Sequence, residues 1–314
     1  MNETRRTLLS AFAEGPATGP ELADRLGISR AAVWKQVEAL RDEGFAIEST
    51  DEGYAVTQVP DYGAAAIEFG LDAPYTVEYH DSVDSTNTRA RQLAAEGRID
   101  VAVVADAQTG SRGRLERSWT APSGGVWCSV VLRPDLPAAH VPLVALASGV
   151  ATVTACREAG VEAHLKWPND VLVGETGDRG GRKLAGILTE MEGEADRVSW
   201  VIAGIGVNAN IDAADLPAGA TTLRDERGDD IDRRRFVQRL LESLAEQLAD
   251  PDGVLDSWRE YSSTLGMDVR IETTSRTIEG RAIDVQFPGA LVVETEAGEE
   301  VVHAGDCEHL RPRG

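Results

Sequence analysis

The sequence predicts an α+β fold in three parts, and three observations carry that prediction. Apolar residues recur at helical spacing through the first 60 residues. From about 75 to 250, runs of consecutive strands lie between helices, which argues for a mixed sheet rather than strict βαβ alternation. After Gly266 only short strands separated by turns remain. The expected domains are therefore 1–60, 61–265 and 266–314.

Residues 4–13 place Leu8, Leu9 and Phe12 at helical spacing, and Gly15-Pro16-Ala17-Thr18-Gly19 breaks the run. A second helix over 20–26 bears Leu22, Ala23 and Leu26 and ends in a tight turn at Gly27-Ile28. Ser29 caps a third helix that runs to about Glu43 with Val33, Val37 and Leu40 inward, and Gly44 stops it. Strands at 45–47 and 54–56 flank Asp51-Glu52-Gly53 as a hairpin. Helix, glycine turn, capped helix and hairpin together resemble a winged helix-turn-helix. Its third helix would present Ser29, Arg30, Trp34 and Lys35 to DNA. Charge points the other way, because residues 1–60 hold six Lys and Arg against ten Asp and Glu, and DNA binders usually show a basic face. Packing or dimer contacts are the rival use of this unit.

Asp61-Tyr62-Gly63 reads as a linker. Beyond it, 101–105 and 126–132 read as strands and 139–159 as a helix. The runs 183–191 and 198–207 read as adjacent buried strands, and 232–249 as a helix. The last part carries strands at 269–271, 277–285, 290–294 and 300–303, with turns at Pro288-Gly289 and Ala297-Gly298, which suits a small barrel.

The net charge of −22 is spread along the chain rather than gathered in a tail, so it describes a solvated surface and not a disordered acidic segment. Many carboxylates, abundant Arg and few large hydrophobes suggest a cytoplasm rich in salt. At molar salt the Debye length is about 3 Å, and self-repulsion becomes tolerable. Cys128, Cys156 and Cys307 are odd in number and lack metal-ligand spacing, which favours reduced thiols. No membrane-length apolar run is expected, and Met1 to Arg6 lack the apolar core of a signal peptide. A cytoplasmic protein is the expectation.

Four segments can carry chemistry. Asp84-Ser85-Thr86-Asn87 opens a helix running to about Glu96, where small polar groups and the helix dipole point toward an anionic or carbonyl ligand; an ordinary helix cap is the alternative. Gln108-Thr109-Gly110-Ser111-Arg112-Gly113-Arg114-Leu115-Glu116-Arg117-Ser118-Trp119 offers forked donors on a glycine-bearing loop, fit either to enclose an anion or to face solvent. Leu165-Lys166-Trp167-Pro168-Asn169-Asp170, followed by Arg182-Lys183-Leu184-Ala185-Gly186-Ile187-Leu188, contains two of only three lysines in a chain with twenty-eight arginines. Lys183 begins an apolar strand, so its ammonium should face a partly buried cleft or a structural carboxylate. Asp170 can hold a metal–nucleotide complex or merely close an Asx-type turn. Residues 174–181 between them read as an exposed hairpin tip. Gly204-Ile205-Gly206-Val207-Asn208 ends a strand and lacks the third glycine of a dinucleotide fingerprint. Neither a Walker A sequence nor a serine nucleophile elbow is present.

In this order, the four segments resemble the bifunctional biotin–protein ligases that also repress the biotin operon. The resemblance covers nearly the whole chain. It implies a winged helix, a ligase domain of the class II synthetase-like kind and an SH3-like C-terminal barrel. It also implies that Ser85, Thr86, Asn87 and Gln108 line a biotin pocket, and that Arg112, Gly113 and Arg114 lie in a loop that orders over biotin and then over the adenylate. Lys183 would bind the biotin carboxylate and, with Arg114, stabilise developing charge. Asp170 and Asn208 would face ATP and Mg²⁺, and Trp119 the adenine. The implied partners are a biotin carboxyl carrier domain, operator DNA and a second copy of the chain, with no membrane. Two departures stand out: Ser111 and Glu116 replace glycines of the family loop, predicting a stiffer loop with an added negative charge. Two other functions remain in view, a lipoate or octanoate ligase and a ligand-sensing DNA-binding regulator without ligase activity.

Overall fold

A computed structural model describes residues 3–114, 117–174, 180–194 and 196–310. Glu116 and the tip at 175–179 lie outside the described residues. Helices α1 (Glu3–Glu14), α2 (Gly19–Leu26) and α3 (Arg30–Asp42) precede a hairpin of β1 (Ala46–Thr50) and β2 (Gly53–Gln58). Local chemistry sets these boundaries. Thr18 and Glu21 form a reciprocal capping box on α2, with the Thr18 N–H donating to Glu21 Oε2 at 2.8 Å. Gly27, at φ 64°, ends α2 in the left-handed region. The Ser29 hydroxyl accepts the Ala32 N–H at 3.2 Å and starts α3. Leu8, Leu9, Phe12, Leu22, Val33 and Leu40 bury one small core between the helices.

The expected linker is anchored rather than loose. Tyr62 packs edge-on against Tyr79, 5.5 Å between ring centroids, and beneath the Arg233 guanidinium at 4.3 Å. Helix α4 (Ala64–Glu68) places Ala65 in the N-terminal core and Ile67 in the central one. Arg6 Nη2 donates to the Ala73 carbonyl at 2.7 Å, a second tie between the two units.

The central part contains β3 (Thr76–Val83), α5 (Thr86–Ala95), β4 (Val101–Gln108), β5 (Val126–Leu132), α6 (Pro142–Glu158), β6 (Ala163–Lys166), β7 (Asp170–Val173), β8 (Arg182–Gly193), β9 (Val198–Val207), α7 (Leu223–Arg227), α8 (Arg233–Ala249) and α9 (Pro251–Tyr261). Its seven strands run β3-β4-β5-β9-β8-β7-β6, with β3 and β4 parallel and every other neighbour antiparallel. This is the mixed sheet the strand runs predict. One face takes α5, whose Ala90, Leu93 and Ala94 pack on Val101, Val103, Val131 and Ile202. The other face packs residues of α6, α8 and α9 in the main core. One expectation is corrected here: Ala138–Glu158 is long and apolar enough to cross a bilayer, with mean hydropathy 1.6. Its apolarity has a different cause, because 72% of that window is buried inside the fold.

The last part is a five-stranded antiparallel sheet of β10 (Asp268–Glu272), β11 (Thr277–Gln286), β12 (Ala290–Thr295), β13 (Gly298–Val302) and β14 (Asp306–His309). Its order is β13-β12-β11-β10-β14. The Trp167 N–H donates to Thr264 Oγ1 at 3.0 Å, and Thr264 Oγ1 lies 3.1 Å from His309 Nε2. Burial and the nearby Lys166 ammonium push the His309 imidazole down to about 4, so at neutral pH the ring beside Thr264 is uncharged. Trp167 Nε1 donates to the Gly289 carbonyl at 3.0 Å. The Trp-Pro turn thus joins the C-terminal sheet to the central one. All three cysteines are buried and unpaired, and burial pushes the Cys128 and Cys307 thiols up to about 12.

Candidate active site

Two rungs of the β8–β9 ladder form the floor of the site. Leu188 pairs with Gly204 and Gly186 with Gly206. Alternation puts Gly204 and Gly206 on the same face, about 7 Å apart along the strand. Each glycine leaves room for a different side chain. A Cβ on Gly204 would lie 2.2 Å from Asn87 Oδ1, and one on Gly186 would lie 3.1 Å from the Trp119 ring. The absent third glycine is thereby explained, since these glycines seat side chains rather than a pyrophosphate.

Over the Gly204 rung lies a polar cluster. Asn87 is buried at the start of α5, and its Nδ2 donates to Glu190 Oε1 at 2.7 Å. The Ser129 hydroxyl donates to Asn87 Oδ1 at 2.6 Å, with its oxygen 2.7 Å from Thr86 Oγ1. The Thr86 N–H donates to Gln108 Oε1 at 2.8 Å. That contact commits the oxygen end of Gln108 and leaves its NH₂ donors for another acceptor. Ser85 is the N-cap of α5, its hydroxyl accepting the Thr88 N–H at 3.4 Å. Sequence reasoning missed Ser129 and Glu190. A lone hydroxyl in the otherwise apolar run Val126–Leu132 was a usable signal for Ser129; nothing local marked Glu190.

Over the Gly206 rung lie the charged groups. Lys183 Nζ is 2.6 Å from Asp170 Oδ1 and 5.1 Å from the centroid of the Trp119 ring. Both charged side chains are about four-fifths covered, at 22% and 21% exposure, so the pair sits in a cleft and not on open surface. The lysine backbone is fixed too: its N–H donates to the Gly219 carbonyl at 2.8 Å, and its carbonyl accepts the Thr221 N–H at 2.9 Å. Asn208 is buried, donating through Nδ2 to the Thr221 carbonyl at 3.1 Å. Asn208 Oδ1 and Trp119 Nε1 are both buried without a hydrogen-bond partner among the described residues. Such orphaned groups in a folded protein call for a ligand or water.

The arginine loop folds back on itself. The Trp119 N–H donates to the Ser111 carbonyl at 3.2 Å, the Gly113 N–H to the Arg117 carbonyl at 2.7 Å, and the Ser111 hydroxyl to the Trp119 carbonyl at 2.7 Å. Ser111 therefore adds a hydrogen bond that the glycine of the family pattern would lack. Arg112 is exposed, and its backbone bridges to Ser118. Arg114 donates through Nη1 to Asn169 Oδ1 at 3.0 Å, beside Asp170. The structure thus brings Thr86, Asn87, Gln108, Arg114, Trp119, Asp170 and Lys183 to one region of one sheet face. In the N-terminal unit, Ser29 at the cap of α3 and Arg30, Trp34 and Lys35 on that helix are all exposed, with Trp34 at 53%.

The biotin/lipoate A/B protein ligase family matches residues 79–208, an HTH domain matches 4–55, and the biotin protein ligase C terminal domain matches 264–310. The bifunctional ligase/repressor BirA of Bacillus subtilis is 36% identical over 329 residues, covering 97% of this chain and 98% of that protein. The biotin–[acetyl-CoA-carboxylase] ligase of Mycobacterium tuberculosis is 35% identical, over 72% of this chain and 86% of its own. The solved biotin protein ligase from Aquifex aeolicus in complex with biotin and ATP superposes with a TM-score of 0.63 at 28% identity, covering 75% of this chain and 98% of that one.

Proposed function

This chain belongs to the biotin protein ligases of the bifunctional ligase/repressor type, and on that premise we propose how its own residues make and transfer a biotinyl group. The protein ligates biotin with ATP, and its helix-turn-helix serves repression. One observation carries the assignment of roles: a hydrogen-bonded polar cluster around Asn87 and a lysine–aspartate pair lie over neighbouring glycine rungs of the same sheet face. A ligand with a polar head and a carboxylate tail spans such a site.

In the first step a biotin carboxylate oxygen attacks the α-phosphorus of ATP. The bond to the β,γ-phosphates breaks, giving biotinyl-5′-AMP and pyrophosphate. Two anions must meet, so cations at fixed positions carry the catalysis. Lys183 takes the biotin carboxylate and then the oxygens of the mixed anhydride, and Arg112 and Arg114 take the phosphate side. Thr86, Asn87, Gln108 and Ser85 hold the head group. The ring of Trp119 offers its face to the adenine. Asp170 and Asn208 face the triphosphate. These residues fit an ATP-bound Mg²⁺, which is usually held by one or two carboxylates plus phosphates: Asp170 supplies one carboxylate, and Asn208 Oδ1 is a buried acceptor without a partner among the described residues. When bound, the ion neutralises phosphate charge. In the second step the amine of a carrier-domain lysine attacks the acyl carbon, AMP leaves, and the amine loses its proton.

The test is substrate-dependent ATP–pyrophosphate exchange with biotin, lipoate and octanoate in concentrated KCl. Exchange with biotin alone is expected; exchange with lipoate and not biotin would overturn the reading.

The finer fold belongs to the same proposal. The hairpin β1–β2 acts as a wing, the C-terminal sheet is an SH3-like barrel, and the three domains divide near 60 and 265. ATP as substrate and three unpaired, buried thiols support a cytoplasmic location. Ser29, Arg30, Trp34 and Lys35 meet operator DNA, bound as a homodimer on paired half-sites. Concentrated salt suppresses non-specific phosphate attraction, so base and shape contacts dominate. A gel shift on the gene's upstream DNA that appears with biotin and ATP is expected, and no ligand-dependent shift at any salt concentration would count against repression.

A further inference from the structure

The arginine loop is held from outside the central domain, at the stretch entering β14. Arg114 Nη2 donates to the Gly305 carbonyl at 3.1 Å, while Nη1 is held by Asn169 Oδ1 at 3.0 Å. Asp306 Oδ1 lies 4.0 Å from Arg114 Nη1, and Asp306 Oδ2 accepts from Arg117 Nη2. One carboxylate of the C-terminal sheet thus stands between two guanidiniums of the loop. The contacts on Arg114 come from two separate stretches of chain, at 169 and at 305–306, and converge on one planar fork.

Stability alone is a poor reason for this arrangement. The Arg117 side chain is 69% exposed and Asp306 30%, and pairs this exposed contribute little to folding. What the geometry does supply is orientation. An unrestrained arginine must be ordered when the anion arrives, and two guanidiniums without a counter-charge repel each other. A carboxylate placed between them removes both costs beforehand, which is preorganisation.

We propose that Asp306 is a positioning residue for adenylate formation, acting through Arg114 and Arg117. This rests on the reading of Arg114 as a phosphate-facing group. Asp306 touches no reacting atom. It holds Arg114 beside Asn169 and Asp170, so that the C-terminal sheet contributes to ATP recognition without lining the pocket.

The test uses the full chain in biotin-dependent ATP–pyrophosphate exchange at one fixed KCl concentration. Asp306→Asn keeps the shape and removes the charge, and it should raise the KM for ATP on the order of 3–10-fold, the cost of ordering one side chain. The kcat should change less than about twofold and the Tm by less than about 2 °C, as for loss of an exposed ion pair. Asp306→Glu should recover part of the KM. Asp284→Asn, which removes another acid of the same sheet paired with Arg259, controls for generic charge loss and should leave KM unchanged. An unchanged KM in Asp306→Asn, or an equal change in Asp284→Asn, overturns the proposal while leaving ligation intact. A wild-type chain without biotin-dependent exchange overturns the ligase reading, and this proposal with it.

Discussion

Replacing Lys183 with Ala is expected to lower biotin-dependent ATP–pyrophosphate exchange by at least about 10²–10³-fold, the cost of losing one preorganised donor at a developing charge. Its ammonium sits 2.6 Å from Asp170 and 5.1 Å from the centroid of the Trp119 ring, in a largely covered cleft. The loss is compounded by what remains. Without Lys183 the Asp170 carboxylate loses its partner at the place where phosphates and a second carboxylate must enter. Removing one partner of a covered pair leaves an uncompensated charge. Lys183→Ala with Asp170→Asn should therefore recover thermal stability but not exchange. Lys183→Arg should recover little, because a planar fork is not a compact point charge and the lysine Cε already lies 3.5 Å from where a Cβ on Gly186 would stand. Circular dichroism shows whether the fold survives; exchange at the wild-type rate in Lys183→Ala would remove this residue from the mechanism.

Gly204→Ala is expected to weaken biotin binding about 100-fold, roughly the effect of leaving one or two buried polar groups unpaired. The added Cβ would stand 2.2 Å from Asn87 Oδ1 and 2.9 Å from the Leu188 carbonyl. The second of these is backbone in the middle of the sheet and cannot yield. Asn87 must then move, which breaks its contacts with Ser129 and Glu190 in a buried network. Gly206→Ala is the informative contrast. There the nearest obstruction is the Trp119 ring at 3.2 Å, a side chain that can shift by a few tenths of an ångström. It should disturb ATP more than biotin, and by less than about tenfold. Calorimetric titration with biotin separates the two variants. Wild-type biotin affinity in Gly204→Ala would mean that the Asn87 cluster is not the head-group pocket.

The legible parts of the fold are those governed by short-range physics. Ser29 and Gly27 announce α3 and the end of α2, because a cap is satisfied within a few residues. The runs forming β5 and β9 are apolar enough to be read as strands in any context. Three strands escaped. β3 has a mixed burial pattern, and β7 and β14 are each four residues long; such segments become strands only because a neighbour pairs with them. Helix α9 escaped for another reason. Its start at Pro251, capped by the Asp250 side chain, follows α8 so closely that the break reads as an end.

The same division holds in the site. By itself the sequence determined the chemistry: a scarce lysine at 183, arginines at 112, 114 and 117 on a glycine-bearing loop, and Asp170 after the Trp-Pro turn. These residue types and their order point to anion handling because charge and donor geometry are properties of the side chains themselves. Only the tertiary structure decided which of them meet. Lys183 and Asp170 become partners because β7 and β8 pair, Ser129 and Glu190 join Asn87 across three strands and a helix start, and Asp306 reaches Arg117 across 189 residues of sequence. Those contacts depend on sheet register and domain packing, and no local pattern encodes either one.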